Sequence, residues 1–393
     1  MYLSKLTLTN YRNFLSLEMD LPQGLVFIIG ANAQGKTNLL EAAYLLAIAK
    51  SYRTNVEREL IHWSAQAPPD AVGAVADQTI VSGQVELDGD HLRVIVGLRV
   101  MSREGAGGAL VKKQIRVNGV ATTATGLVGH VNAVLFTAAD IELVHGSPPQ
   151  RRRFLDILIS QVDRTYLRTL QRYQRVLTQR NHLLRSIRES RSSQDEMNFW
   201  DGELVKEGSA LVARRDEVVR RLAPLAVKEY AGLAEQEELV VEYHPSVGAE
   251  DLAETLAEQR ATEIKAGMTL VGPHRDDLGL TMDGKSAGTY SSRGQARTIA
   301  LALRLAEAQY LREQRREGPI LLLDDVLSEL DPYRRRRVLE EAGTYQQALV
   351  TVADPAFIEA SPVRPSAVLM VKDGTVEPWT QGKPLIENGD DAG

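Results

Sequence analysis

The chain has no cysteine, which excludes disulfides, thiolate metal sites and thiol redox chemistry. Histidine is sparse, and the seven present are too scattered to suggest a zinc cluster. Long apolar runs are also missing. No stretch approaches the roughly 20 residues that span a bilayer, and the opening MYLSKLTLTNYRNF alternates like a strand and does not resemble a signal peptide. A soluble, cytoplasmic protein is expected. There is no excess of positive charge, since 46 Lys and Arg against 52 Asp and Glu leave a net charge of -6. Any affinity for nucleic acid must therefore come from a local basic surface.

A chain of 393 residues, 44% of them hydrophobic, is long enough for two or three packed units. The opening third alternates apolar and polar residues in short runs, with hairpin turn signals at Asp88-Gly89 and Asn118-Gly119. Ala67-Pro68-Pro69 and Ala106-Gly107-Gly108 read as loop tips. From about Gln150 to Ala261 the pattern turns helical, as in Phe154, Leu155, Leu158, Ile159 and Val162, then Leu167, Leu170, Val176 and Leu177. A continuous helix over 150–190 would measure about 60 Å, which is an arm and not a long coiled coil. Strand-like residues return near Met268, and helix and strand alternate to about Met370. A Gly/Asp-rich tail follows that is expected to fray. The spacing thus predicts a first lobe over 1–149, a helical insertion over 150–265 and a second lobe over 266–393.

Gly30-Ala31-Asn32-Ala33-Gln34-Gly35-Lys36-Thr37 fits the phosphate-loop pattern. Its flanks are the required ones, an apolar strand Val26-Phe27-Ile28-Ile29 before it and a helical run from Asn38 after it. Glycines at 30 and 35 let the backbone curl so that amides face phosphate oxygens, and Lys36 reaches the terminal phosphates. Thr37 would hold Mg²⁺ through its hydroxyl. Far downstream, the apolar run Ile320-Leu321-Leu322-Leu323 ends in Asp324 and Asp325, a Walker B arrangement. Asp324 would serve Mg²⁺, and Asp325 would polarise the attacking water.

Between and after these lie Ser291-Ser292-Arg293-Gly294-Gln295, opening a long helical run, and Ser328-Glu329-Leu330-Asp331. Taken alone, the first is a polar helix cap and the second a turn before a basic helix. In the order phosphate loop, signature, Walker B and D-loop, they resemble the ABC/SMC class of ATPases. The 288 positions between Lys36 and Asp324 suit an insertion between lobes better than a compact kinase or GTPase. The fold expected from this resemblance is α/β, an ABC-type ATPase head with an inserted α-helical arm.

Further segments narrow the resemblance to the RecF family. They are Leu8-Thr9-Asn10-Tyr11-Arg12-Asn13-Phe14, Lys50-Ser51-Tyr52-Arg53-Thr54, Gly146-Ser147-Pro148 with Arg151-Arg152-Arg153-Phe154-Leu155-Asp156, and Val271-Gly272-Pro273-His274-Arg275-Asp276-Asp277. The match runs from residue 1 to about 353. It implies that Arg12 and Asn13 lie near the nucleotide together with residues 30–38. It also implies that Ser292, with Gly294 and Gln295, completes the site of a second protomer, so that ATP joins a head-to-head homodimer. Some features depart from transporter ATPases: Arg293 in the signature, Asp325 where transporters use glutamate, and no histidine switch after Leu349-Val350-Thr351-Val352. Aspartate is one methylene shorter than glutamate, so slow hydrolysis is expected. Ala138-Ala139-Asp140-Ile141 also departs from the family's usual proline and acid.

Residues 151–191 hold eleven arginines against Asp156, Asp163 and Glu189. Arg164, Arg168, Arg172 and Arg175 recur at helical spacing and would line one face able to neutralise phosphates without reading bases. The bland reading is a solvated face, or one paired with the later acids Glu235, Glu237 and Glu238. Lys50, Arg53 and Arg58 form a second basic candidate, whereas Arg334 to Arg337 read as capping or solvating a helix. The resemblance implies DNA at single-strand/double-strand junctions or gaps as ligand, ATP and Mg²⁺ as cofactors, RecR and sometimes RecO as partners, and a role in recombinase loading and the SOS response. The rival readings are another SMC-like or nuclease-linked ATPase, a non-hydrolysing nucleotide-gated scaffold and, least well matched, a small-molecule kinase.

Overall fold

The computed structural model describes residues 1–66, 78–101, 110–234 and 237–379. The loop tips expected at 67–69 and 106–108, the acid Glu235 and the tail beyond Trp379 lie outside the described residues.

Apart from helices of one turn, the chain begins with β1 (Tyr2–Tyr11), β2 (Phe14–Asp20), β3 (Gly24–Ile29) and helix α1 (Lys36–Ile48). Then come β4 (Gln78–Leu87), β5 (Asp90–Met101), β6 (Leu110–Val117), β7 (Val120–Thr122) and β8 (Ala133–Thr137). The helical stretch holds α2 (Pro148–Val162), α3 (Arg164–Arg188) and α4 (Met197–Ala231), followed by β9 (Leu239–His244) and α5 (Leu252–Ala266). The remainder is β10 (Asp277–Met282), β11 (Lys285–Ser286), α6 (Arg293–Gln314), β12 (Ile320–Asp324), α7 (Pro332–Ala342), β13 (Gln347–Val352), β14 (Ala367–Lys372) and β15 (Thr375–Pro378). Two compact units result, residues 1–138 with the chain from 311 onward, and residues 139–310.

The first unit contains two six-stranded sheets, β2-β1-β4-β5-β6-β7 and β15-β14-β3-β13-β12-β8. In the first sheet both expected turns close hairpins. Gly89 (φ 80) follows β4, and Asn118 (φ 49) with Gly119 (φ 80) separates β6 from β7, the left-handed geometry such turns require. In the second sheet β3, β13, β12 and β8 are parallel neighbours, with Phe27 opposite Val350 and Leu322 opposite both Leu349 and Leu135. These strands are apolar without alternation because both sheet faces are covered. Their parallel sense brings Ile29, Asp324 and Thr351 to one carboxyl edge, where the phosphate loop departs.

The second unit packs α2 to α5 with the sheet β11-β10-β9. The helix expected over 150–190 is two helices, because Asp163 leaves helical geometry (φ -130, ψ 98) and caps α3 by accepting from Thr165 and Tyr166 amides, each at 2.9 Å. The units also divide elsewhere than at 149/150 and 265/266. β9 pairs antiparallel with β10 over six residue pairs, from Asp277 opposite His244 to Met282 opposite Leu239. This pairing joins residues 266–310 to the helical stretch. No helix among the described residues is long and apolar enough to cross a membrane.

Candidate nucleotide site

Two positions of the phosphate loop accept only glycine. Gly35 has φ 110, and a Cβ there would stand 2.5 Å from Asn13 Nδ2; a Cβ at Gly30 would stand 2.4 Å from the Val371 carbonyl oxygen. Asn13 closes one side of the loop, donating from Nδ2 to Gln34 O (2.9 Å) and accepting from Asn38 Nδ2 (2.7 Å). The turn between β14 and β15 closes another, where the Asp373 amide donates to Gln34 Oε1 at 2.6 Å. Asn32 and Ala33 at the crest are exposed.

Lys36 opens α1 and is buried, its ammonium donating to Gly30 O (2.7 Å) and Ala31 O (3.0 Å). Two of its three N–H groups hold the loop, and the third is left for an anion. Burial pulls this lysine below its ordinary value, against the opposing pull of Asp325 and Asp324. Thr37 Oγ1 donates to Asp324 Oδ1 at 2.9 Å, so the two proposed metal ligands already face each other across 287 positions of sequence.

Asp324 has two further partners that sequence reading missed. Thr351, opposite it on β13, donates to Oδ1 at 3.1 Å, and Tyr52 donates to Oδ2 at 2.8 Å. Burial, and then Asp324 itself, push the Tyr52 phenol far above its usual range, so it stays a donor. The signal for Thr351 was a lone polar residue inside an apolar strand. Tyr52 gave none beyond its place in Lys50-Ser51-Tyr52-Arg53-Thr54. Asp325 takes φ 52, its amide donating to Thr351 Oγ1 (2.9 Å) and its carbonyl accepting from Ser328 Oγ (2.8 Å). Partial burial raises its carboxyl above the ordinary aspartate value, with Lys36 opposing.

Arg12 is tied to α1, the helix that follows the phosphate loop. Its guanidinium makes a fork on the fully buried Glu41 of α1 (2.8 and 2.7 Å) and donates to Glu59 O (2.8 Å). Ser51 also donates to Glu41, and Arg53 NH1 donates to Asn38 Oδ1 at 2.7 Å. Arg53 is therefore partly tied to α1, whereas Lys50 is exposed.

In the second unit, Ser292 and Gln295 form a reciprocal cap at the start of α6, Gln295 N donating to Ser292 Oγ (3.2 Å) and Ser292 N to Gln295 Oε1 (2.8 Å). Ser292, Arg293 and Gly294 are exposed. In the first unit Asp331 caps α7, Arg334 N donating to its Oδ1 at 3.0 Å; Arg336 and Arg337 pair with Glu340, but Arg335 donates to Leu327 O (3.1 Å) and Leu330 O (2.9 Å) and is not a solvated charge.

Arg164, Arg168, Arg172 and Arg175 are exposed along α3. Arg172 Nε bonds Glu207 Oε1 at 2.8 Å. Glu237 accepts instead from Gln295 Nε2 at 3.0 Å, and the Glu238 amide donates to Asp283 Oδ1 at 2.8 Å. Arg180 is not a surface charge at all. It is fully buried, with Nε at 2.7 Å from Asp201 and NH2 at 2.7 Å from Glu263. The two blocks Arg151–Asp156 and Val271–Asp277 meet in a second network around the buried Arg215 and Asp276. Arg151 forks onto Asp277 (2.7 and 2.8 Å), and Arg215 joins Asp156 (2.8 Å), Asp276 Oδ2 (3.1 Å), Pro273 O (2.6 Å) and Tyr166 (2.9 Å). These blocks, far apart in sequence, are thus bonded to each other within the second unit. No group of three or more His, Asp or Glu side chains able to hold a metal ion occurs among the described residues.

Comparison with known proteins places this geometry in a family. The RecF/RecN/SMC N terminal domain matches residues 2–377. The DNA replication and repair protein RecF of Herpetosiphon aurantiacus is 40% identical over 365 residues, covering 90% of this chain and 94% of that protein. A solved structure of the recombination mediator protein RecF with ATP, in the RecFOR pathway, superposes with a TM-score of 0.84 at 30% identity, covering 96% of this chain and 98% of the other. An Smc head bound to the C-winged helix domain of ScpA shares the fold alone, with a TM-score of 0.54 at 14% identity, covering 96% of this chain and 98% of the other. An α/β head of the ABC ATPase type with an inserted helical arm, a phosphate loop joined to a Walker B aspartate, and close relatives over nearly its whole length: on these grounds the chain belongs to the RecF family.

Proposed function

We propose that this chain is a slow, DNA-associated ATPase of recombinational repair and replication-fork maintenance. In this reading it binds ATP with Mg²⁺, dimerises on DNA at single-strand/double-strand junctions or gaps, and supports recombinase loading together with RecR and sometimes RecO. The observation that carries the reading is the 2.9 Å bond between Thr37 and Asp324, which joins phosphate loop and Walker B.

The donor set fits the cofactor. A hydroxyl and a carboxylate oxygen that already face each other are the hard oxygen ligands Mg²⁺ takes beside nucleotide phosphates. The metal, when bound, supplies neutralisation of phosphate charge. Thr351 and Tyr52 hold the Asp324 carboxylate in orientation. Loop amides and the third N–H of Lys36 bind phosphate oxygens, and Asp325 accepts a proton from, or orients, the attacking water. Its short side chain is the reason for slow turnover. The exposed Ser292 on the cap of α6 is free to reach a nucleotide held by a second protomer.

Light scattering with and without ATP-Mg²⁺ and a gapped duplex tests this, on wild type, Lys36→Met and Ser292→Arg. ATP-driven dimerisation and salt-sensitive DNA retention in wild type alone support the composite site. A wild-type protein that stays monomeric, or that binds DNA equally without ATP, refutes it.

A further inference from the structure

Helix α3 carries seven arginines and no acidic residue over Arg164–Arg188. Arg164, Arg168, Arg172, Arg175, His182 and Arg185 are all exposed, at intervals of three, four and seven residues that place them along one side of the helix. From Arg164 to Arg185 this ridge is about 32 Å long. One of its cations, Arg172, is neutralised by Glu207.

Beside the ridge lies a groove of about 630 Å³, lined by Gln171, Gln174, Arg175, Thr178 and Gln179 of α3 and by Trp200 in the first turn of α4. The volume lies in the range of small-ligand sites. Trp200 packs against the core formed by Leu183, Leu184, Ile187 and Met197, which anchors the indole. Phe199 stands edge-on to it, with ring centroids 5.1 Å apart, and is 65% exposed. No lining residue is acidic, and neighbouring Asp201 is spent on Arg180 (2.7 Å) and Arg260 (2.6 Å).

Resting on the reading of this chain as a DNA-associated ATPase, we infer that the groove on the arm binds an unpaired DNA strand, its phosphates along the arginine ridge and a base stacked on Trp200. A row of guanidinium groups alone attracts any polyanion and cannot tell single from double strand. The aromatic face beside it is what adds discrimination, because a duplex keeps its base faces covered while an unpaired strand offers them. The exposed side-chain amides of Gln174 and Gln179 can bond any base edge, so little sequence preference follows. An acidic peptide would satisfy the arginines but leave the indole and the amides unused.

The test uses the full chain in a Trp63→Phe/Trp379→Phe background, which leaves Trp200 the sole tryptophan of the three present. A short oligothymidylate should quench its fluorescence, and a blunt duplex or polyglutamate should not. Trp200→Leu should weaken oligothymidylate binding roughly tenfold and leave duplex affinity within about twofold, while Trp200→Phe, which keeps a stacking ring, should recover most of the loss. Replacing Arg164, Arg168 and Arg175 by glutamine should lower the salt slope for the single strand by about two. Equal quenching by duplex or polyglutamate, or unchanged single-strand affinity in a folded Trp200→Leu protein, overturns the inference. ATP-dependent retention of a gapped duplex, measured on the same proteins, separates the two levels. Its persistence without quenching sinks the groove alone, and its absence in wild type sinks the parent reading.

Discussion

Tyr52 donates a hydrogen bond of 2.8 Å to Oδ2 of Asp324, the oxygen turned away from Thr37, whose hydroxyl is bonded to Oδ1. The phenol stands edge-on to Tyr44, with ring centroids 5.7 Å apart, so its position is fixed by α1. It therefore acts on the carboxylate from behind. Tyr52→Phe should weaken Mg²⁺ binding about tenfold, the lower end of what loss of a residue supporting a metal ligand costs. Affinity for nucleotide without metal should be unchanged. Titration of a fluorescent ATP analogue across Mg²⁺ concentrations reads both; an unaltered Mg²⁺ dependence would remove Tyr52 from the site.

Gly35→Ala should abolish nucleotide binding. Its backbone stands at φ 110, and the added methyl carbon would lie 2.5 Å from Asn13. Removing the obstacle in Gly35→Ala/Asn13→Ala relieves the clash but not the backbone strain, so calorimetry should find no ATP binding in either variant. Recovery in the double variant would show that crowding, and not φ, governs the loop.

Buried and exposed arginines should part sharply in stability. Arg215→Met strands Asp156 and Asp276 without their cation and should cost about 3–5 kcal/mol. Arg336→Ala removes an exposed pair with Glu340 and should stay within about 0.5 kcal/mol. Urea unfolding of the full chain compares them, and similar losses would contradict the network's role.

His274 gives the arm-bearing unit an acid sensitivity. Burial drives its imidazole down to about 4, and the ring sits between Tyr173 OH (2.7 Å) and Thr269 O (3.2 Å). The unfolded chain takes up a proton near pH 6.5, before the folded one does. Stability is therefore full above that value and is lost as pH falls from about 6.5 towards 4. Between pH 7 and 5, wild type should lose about 1–2 kcal/mol more than His274→Gln, a figure reduced for partial solvent access. Parallel losses in the two proteins would refute the assignment.

The parts of this fold legible in the sequence are those written in local pattern. The strands β3, β12 and β13 announce themselves as unbroken apolar runs, and Asp88-Gly89 and Asn118-Gly119 announce their hairpins. The phosphate loop and the Asp324-Asp325 pair were likewise readable from flanks and spacing. What escaped depends on contacts distant in sequence. Arg180 looks like one more surface charge until Glu263 arrives to bury it, and the β9–β10 pairing that moves the unit boundary needs residues 239 and 282 side by side. The break at Asp163 was a local signal that the surrounding helical periodicity concealed. Tyr52 and Thr351 matter only because the sheet places both beside one carboxylate.

The interleaving of β3 with β12 and β13 also bears on how the molecule is made. Phe27 leaves the ribosome long before its partner Val350, which follows it by more than 300 residues. At about 5–20 residues per second, the roughly 300 intervening residues take about 15–60 s. For that interval β3 lacks both of its neighbours, β13 and β14, and its apolar edges are open to chaperones and to misassembly, while β1 and β2 can already pair within the sheet that is complete at β7. The nucleotide pocket thus forms only once β13 has been made, and a translation product truncated before residue 347 should bind no ATP however well its phosphate loop is preserved.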